Sequence, residues 1–423
     1  GIVSRTITPS IAGITLPGTP TGGIQIAPDG TAYQATSAYD PTVYRTVYRI
    51  TTITPAGTTT STPLTGSPHG EIQIAPDGAA HQMTYFYDAP TGTTTFYVTT
   101  ITATGTTTTT ALTGGRALQF APDGTAYQRS TVYDAATGNA TYYVTTITPA
   151  GTATTTRLEG TAYDNFQVAP DGTAYQTTST YDPSIGYTYH VTTITPTGTT
   201  TRTQLTGIHF DSLQVAPNSN AYLLTYTTTG SYYVTTIAPT GAKTDTPLTT
   251  APYGGLHIAP NSNAHLITYT HDPATGATFF VTTITPTGAT TTPLTGVPHN
   301  DLQVAPDGTV YQSTRSGDAT AGYTYYVTTI TPTGTATTTP LGTKPDSSIQ
   351  IAPDSTAYQT SYIHDPATGY THYLTTITPT GTVTSAPLTG SPYGSLQIGA
   401  DSTAGCWGCS TVASMGDSKS ASG

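Results

Sequence analysis

Apolar residues in this chain fall in short clusters that return every 43 to 48 positions. One copy shows the pattern. Residues 166–170, Phe-Gln-Val-Ala-Pro, form a brief apolar run closed by Asp171-Gly172, where Gly supplies the positive φ of a tight turn. Residues 173–181 alternate apolar and polar around Tyr175 and Tyr181 and end at Asp182-Pro183 with Gly186. Residues 187–195 are rich in aromatic and β-branched side chains, Pro196-Thr197-Gly198 turns the chain again, and Thr199–Leu205 alternates once more. Alternation with period two predicts four short antiparallel strands in each copy.

The copies are easily registered. The proline of the first turn recurs at Pro28, Pro76, Pro122, Pro170, Pro217, Pro260, Pro306 and Pro353, with Ala400 in the ninth place. The isoleucine of the third strand recurs in step, from Ile7 and Ile53 to Ile330 and Ile377. A copy offers about eight core-type side chains, worth roughly 1.5–3 kcal/mol each when buried. Ordering its residues costs on the order of 70 kcal/mol at about 1.5 per residue. A lone copy therefore cannot stand and must cover its sheet faces with neighbours.

Four strands per repeat of this length predict an all-β chain, a β-propeller of four-stranded blades. The propeller is expected to occupy residues 1–404. Residues 1–23 read as half a blade, eight full repeats begin near 24, 72, 118, 166, 213, 256, 302 and 349, and 396–404 read as the complementary half. N-terminal strands completing the last blade would close the ring with nine blades. Eight blades with overhanging ends is the alternative, and an open solenoid is third, because its last edges would be exposed. Residues 405–423 read as a closing strand and loose tail.

Composition narrows the function. Thr accounts for 107 of the 423 residues, and only 8% are charged, with 11 basic against 22 acidic residues. That balance leaves no basic footprint for nucleic acid. No apolar run is long enough for a transmembrane helix, and two cysteines complete neither a disulfide scaffold nor a four-ligand zinc site. No cofactor motif is read. Hydroxyl-rich strands with little Lys, Cys or Met suit a place outside the cell or at its surface. No leader segment is read, so the N-terminus is expected to be a mature end or a fragment boundary.

The short strand before Pro-Asp-Gly resembles NHL-type and related propeller repeats. The Thr- and Tyr-rich version, as in Thr173–Thr178, His271-Asp-Pro-Ala-Thr-Gly276 and Val191–Gly198, is similar to tandem repeats of exported mycobacterial proteins of the PE/PPE-associated kind. The resemblance covers residues 1–404 and implies a repeat propeller at a cell surface. Such families include binding modules, structural modules and some enzymes, so it names no activity.

The turns separate onto two faces. The Pro-Asp-Gly face is monotonous, and Asp29, Asp77, Asp123, Asp171, Asp307 and Asp354 read as turn residues rather than calcium ligands, because no Asp-x-Asp-x-Asp-Gly spacing occurs. The face of the Tyr-Asp-Pro turns and the connections between repeats varies from copy to copy. There His69, Arg116, Tyr163, Asp164, His209, Asp211, Tyr253, His299, Asp301 and Tyr393 gather, and they are expected to ring a channel mouth. Aromatic and hydrogen-bonding groups around a concavity suit a glycan or a surface protein. Repeat drift on an exposed rim is the plainer account.

A row of Gln at 25, 73, 119, 167, 214, 303, 350 and 397, with His257 in the sixth copy, lines either a channel or a hydrogen-bonded ladder between sheets. Tyr33, Tyr127, Tyr175, Tyr222, Tyr311 and Tyr358, with His81 and His265 at matching places, read as packing between repeats. Cys406-Trp407-Gly408-Cys409 lacks the βαβ setting of a redox motif, and Gly416-Asp417-Ser418 resembles a hydrolase nucleophile block without room for its partners. Three functions follow: a non-enzymatic surface propeller that binds a glycan or protein, a structural spacer in a larger surface protein, and an enzyme built on His209, Asp211, His257, His299 and Asp301. The first is the expectation carried forward.

Overall fold

The computed structural model describes residues 16–318, 320, 322–390, 392 and 396–405, apart from the side chains of residues 164, 165 and 405. Every strand pairing among them is antiparallel, and they contain no helix. Two compact units are present, one of residues up to 204 with 239–241, the other of 205–238 and 242 onward. The first holds four repeats. The second holds four more and a final two-stranded pair, Gln397–Ile398 with Ala404–Gly405.

The fourth repeat follows its sequence pattern closely. Its strands are Thr161–Val168, Ala174–Asp182, Gly186–Ile194 and Thr200–Gln204, hydrogen-bonded in that order. Both hairpin turns at the Pro-Asp-Gly and Pro-Thr-Gly end have one design. Gly172 N–H donates to Ala169 O and Ala169 N–H to Thr173 O, while Gly198 and Thr195 repeat the pair of bonds with Thr195 O and Thr199 O. This is a type I turn followed by a left-handed residue, with φ of 89° at Gly172 and 83° at Gly198. The aspartates serve these turns: Asp171 Oδ1 accepts Thr173 N–H at 2.9 Å, and Asp29, Asp77, Asp123, Asp307 and Asp354 do the same in their copies.

One boundary differs from the sequence reading. Except before the third repeat, where residues 114–118 stay unpaired, the connection between repeats is not loop. Its first residues pair with the second strand of the repeat that follows, as Ser67–Pro68 pairs with Tyr85 and Thr84. Thr19–Pro20 likewise joins the sheet of the first full repeat, although the pattern had grouped it with the preceding half. The first strand is thus broken in two. From His209 to Gln214 it advances five residues, while its partner advances three, from Thr225 to Tyr222. The two extra residues make a wide bulge.

The core lies between sheets. Each apolar cluster joins two successive repeats: Tyr33 and Ile50 meet Ile72 and Ile101, and Tyr127 and Val144 meet Phe166 and Ile194. In the second unit Leu224 and Val234 meet Leu256 and Ile284, and Tyr311 and Val327 meet Ile349 and Ile377. Both faces of the middle strands are therefore covered, and Ala174–Thr178 is buried without a break. The Tyr layer ties the sheets as well as filling them. Tyr127, Tyr222, Tyr311 and Tyr358 donate their hydroxyls to the carbonyls of Gly172, Ser262, Ser355 and Ser402 in the next repeat. Gln73 and Gln214 bond to the backbone of Leu118 and Leu256, which matches the ladder reading at those two positions.

Candidate functional site

The bulged connections carry most of the candidate residues, and a residue the sequence reading did not single out holds them. This is the Gln that follows the layer Tyr or His in the second strand. Gln34, Gln82, Gln128, Gln176 and Gln312 are buried, and each donates to carbonyls of the connection. Gln176 Nε2 reaches Tyr163 O at 2.6 Å and Thr177 O at 3.0 Å. The signal was present, since Gln recurs after Tyr in the repeat phrase. In the fifth and sixth repeats Leu223 and Leu266 replace it.

Most connections present a ring to their own sheet, just after the paired residues or, at Tyr163, among them. His69 meets Phe96 edge-on at 5.5 Å, Tyr163 meets Tyr189 at 6.1 Å, Tyr253 meets Phe279 at 4.9 Å, and His299 meets Tyr325 at 5.2 Å. Such edge-to-face pairs fix the ring direction. The fifth repeat supplies Phe210 at this place, against Tyr226 and Tyr232, and not His209. His209 stands one residue earlier, in the paired strand, and its Nδ1 donates to Asp211 O at 3.2 Å. Asp164 lies within the strand Thr161–Val168. Tyr393 lies outside the described residues.

The polar candidates serve the backbone first. His69 Nε2 donates to Gly115 O at 2.8 Å, in the next connection. Gly115 has no side chain because a Cβ there would stand 2.4 Å from the Phe96 ring. Asp211 accepts Leu256 N–H at 3.1 Å and Ser212 N–H at 2.8 Å. Arg116 shares a cleft of about 300 Å³ with Arg129, Tyr127 and Phe166. Burial and then the Arg116 charge lower the Arg129 pKa, and Arg129 donates to Gln176 Oε1 at 3.0 Å.

The residues of the enzyme reading do not converge on one point as a metal site. Among the described residues no group of three or more His, Cys, Asp and Glu is arranged to hold a metal. His257 is lowered by burial, against the smaller opposite pull of Asp301 and Asp211. His299 is lowered by burial and then by the charges of Arg315 and Lys344.

The concavities lie elsewhere on the same face, between the Tyr-Asp-Pro hairpins of successive repeats. In the first unit Arg45–Tyr48, Leu64–Ser67, Tyr85–Tyr87 and Tyr97 line a cleft of about 590 Å³. In the second, Tyr323–Tyr325, Pro340–Lys344 and Tyr362–His364 line one of about 400 Å³. Both sizes suit ligand clefts. Rings that line or adjoin them are open to solvent: Tyr44, Tyr87, Tyr323 and Tyr370 are all exposed. Lys344 lies 5.2 Å from the centre of the Tyr362 ring and Arg315 lies 5.0 Å from that of Tyr323. The hydrogen bond with Tyr362 raises the Lys344 pKa.

No protein-family model matches the sequence. Comparison with curated protein sequences gives no match. Among solved structures the chain is similar to the β-propeller domain of the Trilobed protease of Pyrococcus furiosus, at 8% identity and TM-score 0.35, over 66% of this chain and 83% of that one. It is similar to TolB of Acinetobacter baumannii, at 11% identity and TM-score 0.27, over 74% of this chain and 83% of that one. A third similarity is to the dihydro-heme d1 dehydrogenase NirN, at 13% identity and TM-score 0.30, over 88% and 76%. At these scores the architecture rests on strand pairing and the repeat.

Proposed function

We propose that the chain is a β-propeller that binds a glycan, without catalysis, through the clefts between its Tyr-Asp-Pro hairpins. Nine blades is the count we favour, with N-terminal strands completing the last blade, and the setting is the cell surface. One observation carries the binding reading: each unit has a cleft on this face, walled by tyrosines and floored by the connection and its neighbouring strands. A pyranose offers a C–H face to an aromatic ring and hydroxyls to backbone and Thr groups, and such clefts present both. The binding role moves from the connection rings, which pack edge-on against their own sheets even where exposed, as at Tyr253, to the tyrosines that line the hairpin clefts.

The reading is tested by binding the purified chain to a broad array of glycans and cell-envelope polysaccharides. Tyr85→Ala with Tyr323→Ala should weaken whatever binds by tenfold or more. Retention of full binding by that double variant would overturn the cleft assignment. The second reading is a structural spacer, favoured by the near identity of the copies. An array without any bound glycan would leave the spacer ahead.

A further inference from the structure

The cleft between the seventh and eighth repeats differs from its counterparts in how it holds charge. Lys344 lines it, over Tyr362, and Arg315 borders it from behind the lining, over the wall residue Tyr323. His299 packs beside them on Tyr325. The two cations are close enough to His299 to act on its proton affinity.

Two cations of the chain meet carboxylates: Lys243 lies 3.0 Å from Asp245 and Arg202 lies 3.3 Å from Glu159. Among the described residues neither Arg315 nor Lys344 is joined to a carboxylate. The acids of the two flanking hairpins serve their own turns: Asp318 Oδ1 accepts Thr320 N–H, and Asp365 Oδ1 accepts the N–H groups of Ala367 and Thr368. Neutral ring faces hold the two cations instead. A ring face fixes a cation's position without cancelling its charge, as a carboxylate would. The cleft and its border therefore keep two positioned cations without an ion pair among the described residues, in a chain of net charge −11.

We infer that this cleft is the subsite for an acidic sugar, a pyranose carrying a carboxylate, with Arg315 and Lys344 as its charge partners. The inference rests on the glycan reading above and narrows it to one cleft and one ligand class. A carboxylate meets a guanidinium in bidentate fashion and an ammonium as a point charge. The neighbouring tyrosines and the Thr324 and Gly342 backbone complete a wall suited to the ring and its hydroxyls.

The test uses an oligomer of galacturonic acid and the same oligomer with its carboxyls methyl-esterified, bound to the whole chain in low and high salt. The acid form should bind at least tenfold more tightly than the ester, with a preference that fades as salt rises. Arg315→Gln with Lys344→Gln should abolish the preference, while unchanged thermal unfolding shows that the variant is folded. Equal binding of acid and ester overturns the inference and leaves the glycan reading intact. Equally tight binding of poly-glutamate overturns the sugar part, since charge alone would then suffice. Loss of all glycan binding on the array removes both readings together.

Discussion

His265 occupies a place that Tyr fills in most repeats, and the exchange has two consequences. The imidazole is too short to copy the hydroxyl bond across the interface, so Nδ1 pairs with Thr283 inside its own sheet, and Nε2 is buried without a hydrogen bond. Burial, and then the charge of His257, holds its pKa down to about 4. The unfolded chain protonates the same ring near the ordinary value of 6.5. The sign follows from proton counts. Above 6.5 neither state binds the proton and stability is flat. Below it the unfolded state takes a proton that the folded state refuses, so stability falls as the pH drops and levels off below about 4. One such histidine costs up to about 3 kcal/mol across that window, at about 1.4 per pH unit. His265→Tyr should remove that share of the acid loss and add a bond to Gly308 O, worth about 1 kcal/mol. Urea unfolding of both forms at pH 7 and pH 4.5 checks it, and equal pH slopes would sink the account. His81, also held to about 4, should not profit from the same change, because Phe120 already fills the space at 5.2 Å.

The turn that ends the first strand shows two solutions to one backbone demand. Gly serves in the first four repeats, with φ between 86° and 89° at Gly30, Gly78, Gly124 and Gly172. In the second unit Gly308 keeps the glycine, with φ of 89°, while Ser219, Ser262, Ser355 and Ser402 take its place elsewhere, with φ from 63° to 70°. A left-handed conformation costs a non-glycine residue about 1 kcal/mol. The hydroxyl offsets this: Ser355 Oγ accepts Asp307 N–H at 2.9 Å, and Ser262 Oγ accepts Asn218 N–H at 2.9 Å, each from the preceding repeat. Ser355→Gly should then be nearly neutral, since strain and bond vanish together. Ser355→Ala keeps the strain and loses the bond, and should cost about 1–2 kcal/mol. Thermal unfolding of the two variants separates them, and equal midpoints would refute the offset. This device was hidden in the sequence, where Ser reads only as a tolerated turn residue. The strands themselves were legible, because nine residues of alternation, as in Ala174–Asp182, outweigh local noise. The paired pieces Ser67–Pro68 and Ile208–His209 were not, because two residues carry no period. That is also why His209 was nominated where Phe210 holds the ring position.

Across each unit, stability is a sum over sheet-to-sheet interfaces, since every core cluster spans a pair of repeats. The candidate residues were found by their departure from the repeat, which located the varying face. Departure alone could not tell a half-buried ring turned onto its own sheet, such as Tyr163, from one left open at a cleft, such as Tyr323. That distinction depends on which neighbour lies within reach. The final interface of the second unit offers a clean test. Leu374, Leu396 and Ala404 form its buried set, with Tyr358 and Leu388 beside them. Among the described residues hydrogen bonds cross it from Tyr358 Oη to Ser402 O and from Asp354 N–H to Ser402 Oγ. Ending the chain after residue 390 removes Leu396 and exposes Leu374. At roughly 1.5–3 kcal/mol for each side chain, the loss should be about 3–6 kcal/mol. Leu396→Ala in the full chain should recover part of that loss on its own, about 2–4 kcal/mol with its cavity. In a stack coupled through neighbours the damage should stay local. Hydrogen exchange should then rise in Ala357–Asp365 and Gly369–Ile377 while the fifth and sixth repeats keep their protection. A uniform rise across the second unit would instead show that its sheets unfold as one block, and the additive account would fall.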